Sequence, residues 1–203
     1  MGGNMLAVAV NGSPRKGGNT ERLIDAVLAP LAEAGWDTEH LDLRGSRIRG
    51  CMACGKCREM HNGRCVMDKD GFNDIMQRLL AADAIVLGSP TYFTDVTAEM
   101  KALLDRAGYV AIANGRAFRG KIGAAVVALR RGGGIHVFDT INHMYLMSQM
   151  IVPGATYWNL GFGRDVGEVE GDEEAFVNMR VLGETIDWLG RAMKPHRESF
   201  PTV

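Results

Sequence analysis

Cysteine, proline, aromatic residues and net charge are all in short supply in this chain: four cysteines, six prolines, 7% aromatics and a formal charge of −1 over 203 residues. Each shortage narrows the possibilities. Near-neutral charge removes the electrostatic reason to expect nucleic acid or an anionic membrane as partner. No apolar run approaches the roughly 20 residues that cross a bilayer. The first such run, Leu6 to Val10, is ended by Asn11 and Gly12 and follows no basic region, so neither a secretory leader nor a membrane anchor is expected. A cytoplasmic protein is the expectation. The cysteines are also too close together for a disulfide framework, which ties distant segments. Cys51, Cys54, Cys57 and Cys65 fall within fifteen positions, a clustering that points to metal binding or redox chemistry.

What is present is an ordinary globular composition, 46% hydrophobic and 23% charged, laid out as alternating strand-like and helix-like segments. Leu6 to Val10 reads as a buried strand. Leu23, Ile24, Val27, Leu28 and Leu31 then recur at helical spacing up to Gly35, with Pro30 expected to bend or loosen the last turn. Trp36 to Leu43 alternates like an edge strand. An irregular excursion spans about residues 44–70, and Phe72 to Leu80 forms a second helix. Ala84 to Leu87 and Ile122 to Leu129 are further buried strands flanking a helix marked by Val96, Met100, Leu103 and Leu104. A helix at Phe138 to Met150 precedes Ile151 to Trp158, the last strand candidate, which Pro153 and Gly154 interrupt. An amphipathic helix at about residues 172–194 closes the chain. Without repeats, low-complexity tract or linker, residues 1–203 are expected to form one α/β domain, a doubly wound five-stranded parallel sheet with helices on both faces. Right-handed crossovers bring the loops after the strands to one sheet edge, where ligands of such folds bind.

Three of those loops carry chemistry. "NGSPRKGGNT" (Asn11 to Thr20) combines glycines, hydroxyls and cations ahead of a helix N-terminus. Gly18 lets the backbone approach an anion, Ser13, Asn19 and Thr20 donate hydrogen bonds, and Arg15 or Lys16 supplies charge. It is neither a Walker A loop nor G-x-G-x-x-G. The plainer alternative is that Asn19 caps a helix and the glycines only turn. "SPTYFTD" (Ser89 to Asp95) places Tyr92 and Phe93 where the chain leaves the sheet, suited either to flank a planar ring or to pack in a core or interface. "RRGGG" (Arg130 to Gly134) joins close backbone approach to positive charge, or is a glycine turn with two solvated arginines.

These motifs, with "CMACGKC", "ADAIVLGSPTYF" and "MKALLDR", resemble the flavodoxin-like NADPH-dependent FMN reductase superfamily and its iron–sulfur flavoprotein branch, over most of the chain to about Trp158. The resemblance implies FMN as cofactor, with Ser13, Arg15, Asn19 and Thr20 at its phosphate; Lys16 and Gly18 of the same loop are expected to bind the cofactor with them. It places Pro90, Thr91, Tyr92 and Phe93 along the ring, and Arg131, Gly132 and Gly133 at its far edge. It implies no catalytic acid or base. NAD(P)H is the expected co-substrate, delivering hydride and leaving before an unidentified acceptor enters; a reduced carrier is the other possible donor. A homodimer or homotetramer is expected. The segment after Gly161 matches nothing with an assignable role.

C-x2-C-x2-C followed after seven residues by Cys65 is compact enough for one loop to wrap a cubane cluster. Three readings stand open: a [4Fe–4S] cluster on all four cysteines, thiols or disulfides without metal, and structural zinc. Two rivals to an FMN-dependent oxidoreductase also stand, a non-enzymatic electron carrier and an interaction module lacking cofactor.

Overall fold

The computed structural model describes residues 3–201. Five parallel strands form one sheet in the order β2-β1-β3-β4-β5: β1 Leu6–Asn11, β2 Asp37–Asp42, β3 Ala84–Pro90, β4 Ile122–Leu129 and β5 Leu160–Phe162. Between and after them lie α1 Asn19–Glu33, α2 Lys56–Met60, α3 Phe72–Ala81, α4 Ala98–Ala113, α5 Gly134–Met147 and α6 Glu173–Met193. This is the flavodoxin-like α/β arrangement.

The pleat divides each central strand between two cores. On β1, Val8 and Val10 face α3, α4 and α5, joining Phe72, Met76, Leu103 and Ile141. Ala7 and Ala9 face the opposite way, against Leu23, Ile24 and Val27 of α1 and Met179, Leu182 and Ile186 of α6. Both faces of β1, β3 and β4 are therefore covered, as their unbroken apolar runs require. β2 carries only exposed and half-buried side chains, fitting its place at the edge.

α1 and α6 approach closely. A Cβ on Gly183 would stand 2.3 Å from the Val27 carbonyl oxygen and 2.5 Å from Pro30 Cγ. Pro30 itself is buried inside α1, which continues past it to Glu33. Gly183→Ala should therefore destabilise the protein by about 1–3 kcal/mol, the cost of forcing two packed helices apart, despite alanine's better helix propensity. Urea unfolding of the variant checks this.

The expected last strand is corrected. Ile151 makes only a single bridge, to Ile122, and the paired strand is Leu160–Phe162. Pro153 has no N–H to give a ladder, so the chain leaves the sheet after Ile151 and pairs again only along the carboxyl half of β4, where Leu160 to Phe162 face Val127 to Leu129. Among the described residues, no helix is long and apolar enough to cross a membrane.

Candidate functional site

A cleft of about 290 Å³ opens at the carboxyl edge of the sheet. Its walls are Ser13, Pro14, Arg15, Asn19 and Thr20 after β1, Pro90, Thr91 and Tyr92 after β3, Ala128, Leu129 and Arg130 at the end of β4, and Gly163 and Arg164 after β5. Four segments far apart in sequence thus meet at one place because parallel strands deliver all their carboxyl ends to the same side.

Local hydrogen bonds set the first wall. The Ser13 N–H donates to Asn11 Oδ1 at 2.9 Å, and the Arg15 N–H donates to Ser13 Oγ at 3.2 Å, which curls the chain tightly ahead of α1. Asn19 does not cap α1; it is the first helical residue, and its Oδ1 accepts from the Gly167 N–H at 2.9 Å. Its oxygen is held by the loop after β5, so the amide offers the cleft only its Nδ2 donor. Arg15 reaches the same loop, donating from Nη1 to the Arg164 carbonyl at 2.7 Å. The close fit leaves no room at Gly163, where a Cβ would lie 2.6 Å from Asn19 Nδ2.

The second wall is pinned to the first. Thr97, the N-cap of α4, donates through Oγ1 to the Gly12 carbonyl at 2.9 Å, and the Thr91 N–H donates to the Ala128 carbonyl at 2.8 Å. Tyr92 and Asp95 close a turn whose tip, Phe93, is 98% exposed, with positive φ at Phe93 (46°) and Thr94 (81°). Bulky residues held in this region are strained, and such strain collects at ligand sites.

Two hydroxyls in this region have no partner. Thr20 is 1% exposed and its Oγ1 is buried without a hydrogen bond; Thr91 Oγ1 is likewise buried and unpaired. A buried polar atom in this state costs about 1–3 kcal/mol, so two at one cleft point to a polar ligand. Three arginines, Arg15, Arg130 and Arg164, line the same space, and α1 directs its N-terminus there. The donor set suits an anion.

Of the residues singled out in the sequence, Ser13, Arg15, Asn19, Thr20, Pro90, Thr91 and Tyr92 line the cleft. Lys16 is exposed and Gly18 is buried at the N-cap, neither of them in the wall; Phe93 stands beyond the rim. Arg131, Gly132 and Gly133 are exposed and lie outside it, although a Cβ on Gly133 would come within 3.2 Å of Thr91 Cγ2. Arg130 belonged to the third loop but not to the FMN contacts expected from the resemblance, and Gly163 and Arg164 had no place in the sequence-based site. The signal available for the last two was the Gly161–Phe162–Gly163–Arg164 run, a glycine-and-arginine turn like the first and third loops.

Residues 5–165 match the family described as NADPH-dependent FMN reductase. The chain belongs to that family. It is 34% identical over 189 residues to an iron–sulfur flavoprotein of Methanocaldococcus jannaschii, covering 90% of this chain and 95% of the relative. A similar match links it to an iron–sulfur flavoprotein of Methanosarcina thermophila, 34% identical over 183 residues, covering 89% of this chain and 91% of the relative. The fold is shared with a flavodoxin-type WrbA-like protein of Agrobacterium tumefaciens, at a TM-score of 0.64 and 16% identity, covering 93% of this chain and 99% of that one. Family membership makes the chain an FMN-binding oxidoreductase, and the unpartnered Thr20 and Thr91 hydroxyls with three arginines are a donor set that FMN's phosphate and polar tail fit.

A second cavity lies in the cysteine segment. Cys51, Cys54, Cys57 and Cys65 are all free thiols, and all four line one cavity of about 250 Å³ together with Met52, Arg58, Val66, Arg106 and Tyr109. Cys51 and Cys54 are exposed; Cys57 and Cys65 are half-buried and pack against the core. Among the described residues, no three His, Cys, Asp or Glu side chains converge on a point as one metal ion requires. Four thiol donors around one cavity are the ligand type an iron–sulfur cluster takes.

Proposed function

We propose that this chain is an FMN-dependent oxidoreductase that takes electrons from NAD(P)H or a reduced carrier and passes them to a small-molecule or protein acceptor, with Cys51, Cys54, Cys57 and Cys65 holding a [4Fe–4S] cluster. The observation that carries the reading is the pair of buried, unpartnered hydroxyls in an arginine-lined cleft at the carboxyl edge of the sheet. When bound there, FMN supplies the hydride and one-electron chemistry. The chain's own residues bind and orient. Thr20, Ser13 and the Asn19 amide donate to the phosphate while Arg15 offsets its charge, and Thr91 and Tyr92 border the ring.

Phe93 has a distinct part. Its ring packs on nothing in the folded chain, so Phe93→Ala should change stability by less than about 0.5 kcal/mol. FMN affinity should fall by roughly two- to tenfold, the loss of one aromatic contact. Fluorescence titration with FMN beside thermal melting of the apoprotein separates the two effects.

The exposed Cys51 and Cys54 favour a second reading, in which the protein is an electron carrier between macromolecular partners. Anaerobic mixing decides. Under the oxidoreductase reading NADPH or NADH bleaches the flavin absorption; bleaching by a reduced ferredoxin with neither nucleotide effective establishes the carrier. Iron and sulfide analysis of the anaerobically purified protein tests the cluster directly.

A further inference from the structure

Arg106 ends the "MKALLDR" stretch, and nothing in the cleft uses it. Its side chain is fully buried, stacked over the Phe72 ring with 4.0 Å from Cζ to the ring centroid. A guanidinium has five N–H donors. Nη1 donates to the Arg49 carbonyl at 3.2 Å and to Asp70 Oδ2; Nη2 donates to the Met67 carbonyl at 2.8 Å and to Asp70 Oδ1 at 3.4 Å. Arg49 and Met67 each lie two positions outside the cysteine segment, one before Cys51 and one after Cys65. One side chain therefore ties together both ends of the loop that carries all four thiols.

The fifth donor is left over. Arg106 Nε is buried and has no acceptor, and Arg106 borders the cavity lined by the four cysteines. A buried cationic N–H without an acceptor is costly, and the three residues that accept from Arg106 all do so through its two Nη atoms.

We propose that Arg106 is a positioning residue of the four-cysteine centre, its Nη donors closing the two ends of the segment and its Nε–H donating a hydrogen bond to a sulfur of the cluster held there. The inference rests on the cluster reading above. A donor to sulfur stabilises the reduced, more negative cluster, and so raises its reduction potential. Lysine keeps the charge but has no planar fork with which to span Arg49, Met67 and Asp70.

The test compares full-length wild type, Arg106→Lys and Arg106→Met after anaerobic reconstitution with iron and sulfide. FMN content should match wild type in both variants. Amide exchange across residues 49–67 should accelerate by about tenfold or more, with β1, β3 and β4 unchanged. In the molecules that still load, the cluster potential should fall below wild type, further for methionine than for lysine; a purely structural role would leave it unmoved. If wild type itself takes up neither iron nor sulfide, the cluster reading falls and takes the Nε–H assignment with it. If wild type loads and the variants equal it in exchange and potential, the inference alone is overturned. Should either variant lose FMN through misfolding, Asp70→Asn substitutes for it: faster exchange over the same residues with an unaltered potential supports the division of labour, and unaltered exchange overturns it.

Discussion

Replacing Thr20 by valine should weaken FMN binding by about 10- to 100-fold while leaving the apoprotein as stable as before, or more so. The two signs differ because the hydroxyl has opposite roles in the two states. Without ligand it is buried and unpartnered, a desolvated polar atom that destabilises the fold. With a phosphate in the cleft it becomes a donor to a charged acceptor, an interaction of about 1.5–3 kcal/mol. Valine keeps the β-branched shape and a comparable helix propensity, so the first turn of α1 should persist. Calorimetric titration with FMN and thermal melting of the apoprotein at the same pH give both signs at once. Unchanged affinity with a lowered melting temperature would remove Thr20 from the phosphate's contacts.

Asp70→Ala should be the most destabilising of the single substitutions considered, at about 3–5 kcal/mol, because it leaves the buried Arg106 guanidinium without its counter-charge. The carboxylate also accepts from the Arg49 N–H at 3.2 Å and the Phe72 N–H at 3.3 Å, so its loss frees these two donors together with both Arg106 Nη donors. Burial alone would raise the Asp70 pKa, but the Arg106 hydrogen bond, the two backbone N–H groups and the nearby positive charge outweigh it and hold the carboxyl below its usual range. A depressed native pKa fixes the sign of the pH dependence. The contribution is complete above the unfolded value of about 3.9 and is lost as pH falls through the native one. Urea midpoints measured from neutral to acid pH should therefore show wild type converging on Asp70→Ala in acid, with the variant lacking this component of the slope.

The sequence shows the cleft better than it shows the chain's last third. Leu6 to Val10, Ala84 to Leu87 and Ile122 to Leu129 are short apolar runs closed by glycine or proline, and both the strands and the loops after them follow from that pattern. β5 has only three residues and borrows its ladder from β4, so no periodicity announces it; the longer apolar run at Ile151 attracts the assignment instead. Gly163 and Arg164 reach the cleft by that unannounced pairing, and Asn19 holds the Gly167 N–H across the gap, a contact between segments 148 positions apart that no local pattern contains. Within the three loops, composition does not say which way a side chain points. Arg130 lines the cleft and Arg131 does not; Tyr92 does and Phe93 projects past it. Arg106 was legible as part of a motif, but its purpose depends on partners at Arg49, Met67 and Asp70, which only the folded excursion brings near.

α4 carries a consequence for electron flow. Thr97 at its N-cap fastens the loop that forms the first wall of the cleft, and Arg106, nine positions on, fastens the cysteine segment. At about 1.5 Å of rise per residue these anchor points are about 13.5 Å apart along a single rigid rod. The interval between cleft and cysteine segment is thus gauged by helical pitch and not by a hinge, so under the proposed function any electron path between FMN and a cluster would have its length set by α4.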